Sequence, residues 1–134
     1  MKALILPATR STPGIHFDPA LGVFELTGTS VPENASEFYQ PVVEWLAGHL
    51  SDLKGEHVMH FHLSYFNSTS LKAIYQLLKQ AKEACLMGQS SLRVCWHGDA
   101  DDELLVETAS MLSDLLDMPM EVVPNAEDGA RAAG

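Results

Sequence analysis

Three consecutive hydroxyl residues, Ser68, Thr69 and Ser70, follow Asn67 where an alternating strand pattern gives way to an apolar helical period. Serine and threonine are preferred where helices begin, so one of the three suffices for a cap. Three in a row call for a second explanation, and the chemistry such residues offer is acceptance of a phosphoryl group. A phosphate attached there would lie among backbone N–H groups that lack helical partners, at the positive end of the helix dipole. Capping and accepting are compatible roles for the same hydroxyl. Lys72, one turn into the helix, is placed to steady such a phosphate or simply to face solvent.

A second group has the residue types of a metal site. His60 and His62 stand two apart on one strand face, and Cys95 and His97 occupy the matching face of a later strand. Nothing in the sequence fixes the register between those strands, and half-exposed polar residues on an open sheet face are the simpler reading. Asp99, Asp101, Asp102 and Glu103 read as a solvated acidic helix start rather than a magnesium cage, which needs ligands converging from separate places. Glu33 and Asn34 are explained by anchoring a helix. Trp45 and Trp96 read as core. No Ser-His-Asp or Cys-His arrangement, glycine-rich phosphate loop or catalytic carboxylate pair stands out, which makes an enzyme the weakest class.

The elements that must position these residues follow from hydrophobic period. Met59, Phe61, Leu63 and Tyr65 alternate with Val58, His60, His62 and Ser64, the pattern of a half-buried strand ending near Phe66. Leu71, Ile74, Tyr75, Leu78 and Ala81 then give the apolar face of a helix from Ser68 to about Leu86, stopped by Met87-Gly88-Gln89. Upstream, Gly14–Asp18 and Val23–Gly28 read as two strands joined by Pro19-Ala20-Leu21-Gly22. Asn34 and Glu37 have capping-box spacing for a helix carrying Phe38, Val42, Trp45, Leu46, His49 and Leu50. Pro41 either kinks that helix or sits in its first turn. Downstream come a strand over Ser91–His97, a helix opened by Gly98–Asp101, and an edge strand at Met120–Val123. The helix has an apolar face of Leu104, Leu105, Thr108, Met111, Leu112, Leu115 and Leu116. Met1–Pro13 is expected to be extended and loosely held.

The order β-β-α-β-α-β-α-β implies a parallel pair around Ser68 with a right-handed crossover. Its central strands alternate rather than being apolar throughout, so helices should cover one sheet face only. The expectation is an α/β two-layer sandwich with a mixed four- to five-stranded sheet. Residues 1–123 are expected to form one domain and 124–134 a mobile tail, since PNAEDGARAAG lacks apolar periodicity.

Composition limits the class of partner. A net charge of −10 over 134 residues argues against nucleic acid and anionic membranes, because both need a basic surface. The apolar run Ala3–Leu6 is too short for a signal-peptide core or a membrane span. Two cysteines without motif spacing suit a reducing, cytoplasmic compartment.

At three places the sequence resembles the SiaC-like biofilm-regulation phosphoproteins. They are Ser11-Thr12-Pro13-Gly14-Ile15, Val31-Pro32-Glu33-Asn34-Ala35 with Phe38, Pro41 and Trp45, and Tyr65-Phe66-Asn67-Ser68-Thr69-Ser70 with Lys72. The resemblance spans roughly residues 9 to 123 and implies a STAS-like fold, that of anti-sigma-factor antagonists. It also implies a non-enzymatic phospho-switch without cofactor or metal. A serine/threonine protein kinase would phosphorylate the hydroxyl after Asn67, and a PP2C-type phosphatase would remove the phosphate. The unphosphorylated form would bind a signalling partner such as a diguanylate cyclase, in cyclic-di-GMP and biofilm control. By position the acceptor is Ser68, with Thr69 and Ser70 as alternatives and Asn67 and Lys72 in support. Two other readings stay open: an anti-sigma-factor-antagonist-like partner switch, and a metal- or ligand-binding module built on His60, His62, Cys95 and His97.

Overall fold

The computed structural model describes residues 3–99 and 101–124. One mixed sheet of six strands runs in chain order: β1 (Leu4–Leu6), β2 (Gly14–Asp18), β3 (Val23–Ser30), β4 (Lys54–Phe66), β5 (Gln89–His97) and β6 (Met120–Val123). The first three strands are antiparallel neighbours. From β3 onward every pairing is parallel, and each crossover carries one helix: α1 (Ala35–His49), α2 (Ser68–Met87) or α3 (Glu103–Leu116). A short 3-10 turn, Leu50–Asp52, links α1 to β4.

Alternation decides which sheet face meets the helices. Ile15, Phe17, Phe24, Leu26, Met59, Phe61, Val94 and Trp96 are buried in one cluster with Val42 and Leu46 of α1, Ile74 and Leu78 of α2 and Leu112 of α3. Phe61 and Trp96, register partners across β4 and β5, stack with ring centroids 4.4 Å apart. Trp45 packs on Phe17 at 5.6 Å and stacks on His49 at 4.3 Å. The two-layer sandwich expected from the sequence is present, with the helices on one face.

The sheet has six strands rather than four to five. The addition is β1, which pairs Leu4–Leu6 with Ile15–Phe17, so the opening segment is not simply loose. It is held further along as well, where the Val31 amide donates to the Ser11 carbonyl at 2.7 Å. Helix α1 begins at Ala35, and Asn34 caps it by accepting the Glu37 amide at 3.0 Å. Pro41 lies inside it on the exposed side, where the Glu37 carbonyl forgoes its helical donor. Helix α2 ends as expected, but Gly88 is needed for space rather than for a left-handed turn. A Cβ there would lie 2.4 Å from the Ser51 carbonyl oxygen. Helix α3 buries Leu105, Thr108, Leu112 and Leu116 but leaves Leu104, Met111 and Leu115 exposed, because it packs near the sheet edge. The mobile tail expected beyond Pro124 lies outside the described residues.

Candidate phospho-acceptor site

The residue that caps α2 is Asn67. Its backbone is extended, and its Oδ1 accepts the Ser70 amide at 2.9 Å and the Thr69 hydroxyl at 3.0 Å. Ser68 is therefore the first helical residue, exposed, and its hydroxyl has no hydrogen bond among the described residues. The capping role that a hydroxyl was expected to share falls to the amide side chain before it. Thr69 is also exposed, with its hydroxyl directed to Asn67.

Ser70 has the opposite environment. It is fully buried, and its Oγ donates to the Ser30 carbonyl at 2.7 Å. Ser30 Oγ donates in turn to Ser70 Oγ at 2.8 Å and lies 2.7 Å from the Tyr39 hydroxyl. Each hydroxyl has one proton, so the Ser30 proton given to Ser70 leaves Tyr39 as the donor to Ser30. This directed chain ties the end of β3 to α1 and α2. Burial pushes the Tyr39 phenol up to about 12. The Asn67 amide also donates to the Ser30 carbonyl, at 3.3 Å.

Around this junction the first turns of α1 and α2 lie side by side. Glu33, Asn34, Thr69, Lys72 and Gln76 line a cleft of about 360 Å³ between them. Lys72 is exposed four residues after Ser68, on the same side of the helix. The first amides of α2 and the Lys72 ammonium offer an anion donors and positive potential, with the Glu33 carboxylate as the opposing charge.

The histidine group lies on the sheet face away from the helices. His60 Nδ1 and His97 Nε2 are 2.7 Å apart, and the His62 and His97 rings stack at 4.0 Å. Burial holds both His62 and His97 below the usual histidine range. Neighbouring imidazoles press His97 further down, and Glu25 opposes the shift at both. Cys95 does not join them: its thiol points to Glu121 Oε1 at 3.4 Å, and burial pushes its pKa up. At the acidic start of α3, Asp102 caps the Leu105 amide and Asp99 accepts the Asp101 amide.

The Ser30–Tyr39 link escaped sequence reasoning. Ser30 closes a strand and Tyr39 sits within a helix, and neither position carries a motif. The only signal was a polar residue falling on the buried side of each element.

Known proteins share this fold. A family model described as SiaC family regulatory phosphoprotein matches residues 6–125. An uncharacterized protein of Pseudomonas aeruginosa (strain UCBPP-PA14) is 32% identical over 128 residues, covering 95% of this chain and all of that protein. The structure of SiaC from Pseudomonas aeruginosa superposes with a TM-score of 0.79 at 29% identity, over 93% of this chain and 100% of that one. A crystal structure of the diguanylate cyclase SiaD in complex with its activator SiaC matches with a TM-score of 0.78 at 30% identity, over 91% and 99% of the two chains. With the six-stranded sheet and its three crossover helices in place, this chain belongs to the SiaC family of regulatory phosphoproteins.

Proposed function

We propose that the protein is a non-enzymatic phospho-switch whose acceptor is Ser68 and whose unphosphorylated form binds a diguanylate cyclase. The observation that carries this reading is the division of labour at the start of α2. Asn67 does the capping and Ser70 the packing, which leaves the Ser68 hydroxyl exposed with no intramolecular hydrogen bond among the described residues. Thr69 is the accessible second choice, and Ser70 can react only if the Tyr39–Ser30–Ser70 chain opens. The match to SiaC, named as the activator of a diguanylate cyclase, supports a cyclase as the output partner.

The physics of the switch is local. A phosphoserine carries about −1.5 to −2 charges and three acceptor oxygens. At the first position of α2 it meets free amides and a favourable dipole, so the fold accommodates it. A partner surface fitted to a neutral hydroxyl instead receives a bulky anion. Phosphorylation by a serine/threonine kinase then blocks docking without refolding the domain, and a PP2C-type phosphatase restores it. Nothing here requires a cofactor, and the setting is a cytoplasmic one. Among the described residues no helix is long and apolar enough to cross a membrane.

Phosphopeptide mapping after incubation with the cognate kinase tests the assignment. The phosphate is expected on Ser68 and absent from the Ser68→Ala protein. Modification confined to Ser11, Thr12 or another remote hydroxyl refutes it.

A further inference from the structure

The register of the sheet assembles a polar row that the phospho-switch does not use. His16, Glu25, His60, Cys95 and Glu121 are successive register partners across β2 to β6, all on the face away from the helices. His62, two residues beyond His60 on β4, and His97, two beyond Cys95 on β5, bring their rings onto that row's edge. One nitrogen from each of His60, His62 and His97 lies within 4.8 Å of the other two.

We propose that His60, His62 and His97 form a binding site for a borderline divalent transition metal, with zinc as the reference ion. Imidazole nitrogens suit zinc, nickel, cobalt and copper rather than magnesium or calcium, which take oxygen ligands. His60 Nδ1 and His97 Nε2, 2.7 Å apart, share a single proton between them. A metal ion takes that proton's place, and the ring that held it carries the proton on its other nitrogen instead, so both remain neutral imidazole ligands. Zinc–nitrogen bonds of about 2.0–2.1 Å at tetrahedral angles put ligand nitrogens roughly 3.3 Å apart. The pair must therefore open by about half an ångström while His62 swings inward, movements of half-exposed rings on an open face. Glu25, the register partner of His60, supplies negative charge beside the site and a carboxylate within reach of a second shell. Three protein ligands leave a tetrahedral ion one position for water or an added ligand. His62 and His97 also line a cleft of about 320 Å³ with Ser64, Asp99 and Asp102, so the site is open to solvent.

The test is calorimetric titration of zinc chloride into tag-free, chelator-treated protein at neutral pH. One zinc per chain is expected, with affinity at least tenfold lower in His62→Ala and in His97→Ala. His57→Ala and Cys95→Ser, at residues outside the trio, should bind as wild type does. Circular dichroism checks that each variant is folded. X-ray absorption on the zinc-loaded wild type should show three imidazoles and no sulfur, a readout independent of any variant. Absence of saturable binding by folded wild type, undiminished binding by the folded His62→Ala and His97→Ala variants, or a sulfur ligand in the absorption spectrum overturns the proposal.

Discussion

Asn67 accepts the Ser70 amide at 2.9 Å, so the side chain that caps α2 belongs to the residue before the candidate acceptor and not to the acceptor. Cap removal costs about 0.5–2 kcal/mol, whereas a surface substitution without partners stays within about 0.5 kcal/mol. Asn67→Ala should therefore lower stability by about 1 kcal/mol and Ser68→Ala by much less. Urea denaturation of the two variants checks the order, and a larger loss for Ser68→Ala contradicts it.

Negative charge placed at Ser68 and at Ser70 should have opposite consequences for folding. Ser68 is exposed at the positive end of α2, where a carboxylate is favourable. Ser70 is fully buried among hydroxyls, where an uncompensated charge costs about 3–5 kcal/mol. Ser68→Asp should show native circular dichroism and near-native thermal stability. Ser70→Asp should melt far lower or fail to fold.

Binding gives the sign of the switch. Ser68→Ala should keep its affinity for the diguanylate cyclase, and Ser68→Asp should lose it by several kcal/mol, because an anion buried in an interface built round a hydroxyl is left desolvated and poorly paired. Equal or tighter calorimetric binding by a folded Asp variant would reverse the proposed direction. The stoichiometrically phosphorylated protein is the final arbiter, since a carboxylate imitates phosphate imperfectly in charge and shape.

Tyr39 predicts an alkaline effect. Its phenol titrates at about 12 in the fold against 10.0 in the unfolded chain, so the folded state holds the extra proton between those values. The associated stability is complete below pH 10 and is lost as pH rises from there toward 12, at up to about 1.4 kcal/mol per pH unit. Tyr39→Phe removes this contribution and costs about 1 kcal/mol at neutral pH, because the Ser30 oxygen loses a donor. Chemical denaturation of both proteins from pH 8 to 11.5 should show the gap between them narrowing above pH 10.

What the sequence revealed, and what it concealed, divides by range of interaction. Met59 and Phe61 alternate with His60 and His62, and that local period alone gave β4 and the helix-free face. The helix following Asn67 was equally legible, although the spacing that identified Asn34 as a cap was present again at Asn67 and Ser70. Burial of Ser70 could not be read, since it depends on Ser30 and Tyr39, which lie 40 and 31 positions earlier in the chain. Strand β1 escaped because three apolar residues at a sheet edge show no alternation. The histidine trio needed the Phe61–Trp96 register, a property of two strands together. Cys95 shared that register but turned toward Glu121. Seven positions were expected on the apolar face of α3, and Leu104, Met111 and Leu115 stay outside because a helix near a sheet edge buries only a narrow stripe.

Since strand order in space equals strand order in the chain, no later strand inserts between earlier ones. A nascent polypeptide can add each strand to the open edge of what has already emerged from the ribosome. Each parallel pairing closes over a single helical crossover. Until α2 and β5 have emerged, the growing edge is β4, the strand that leads into Asn67 and Ser68. The segment proposed to carry the acceptor is thus completed in the middle of synthesis, when Ser30 and Tyr39, which enclose Ser70, have already been made.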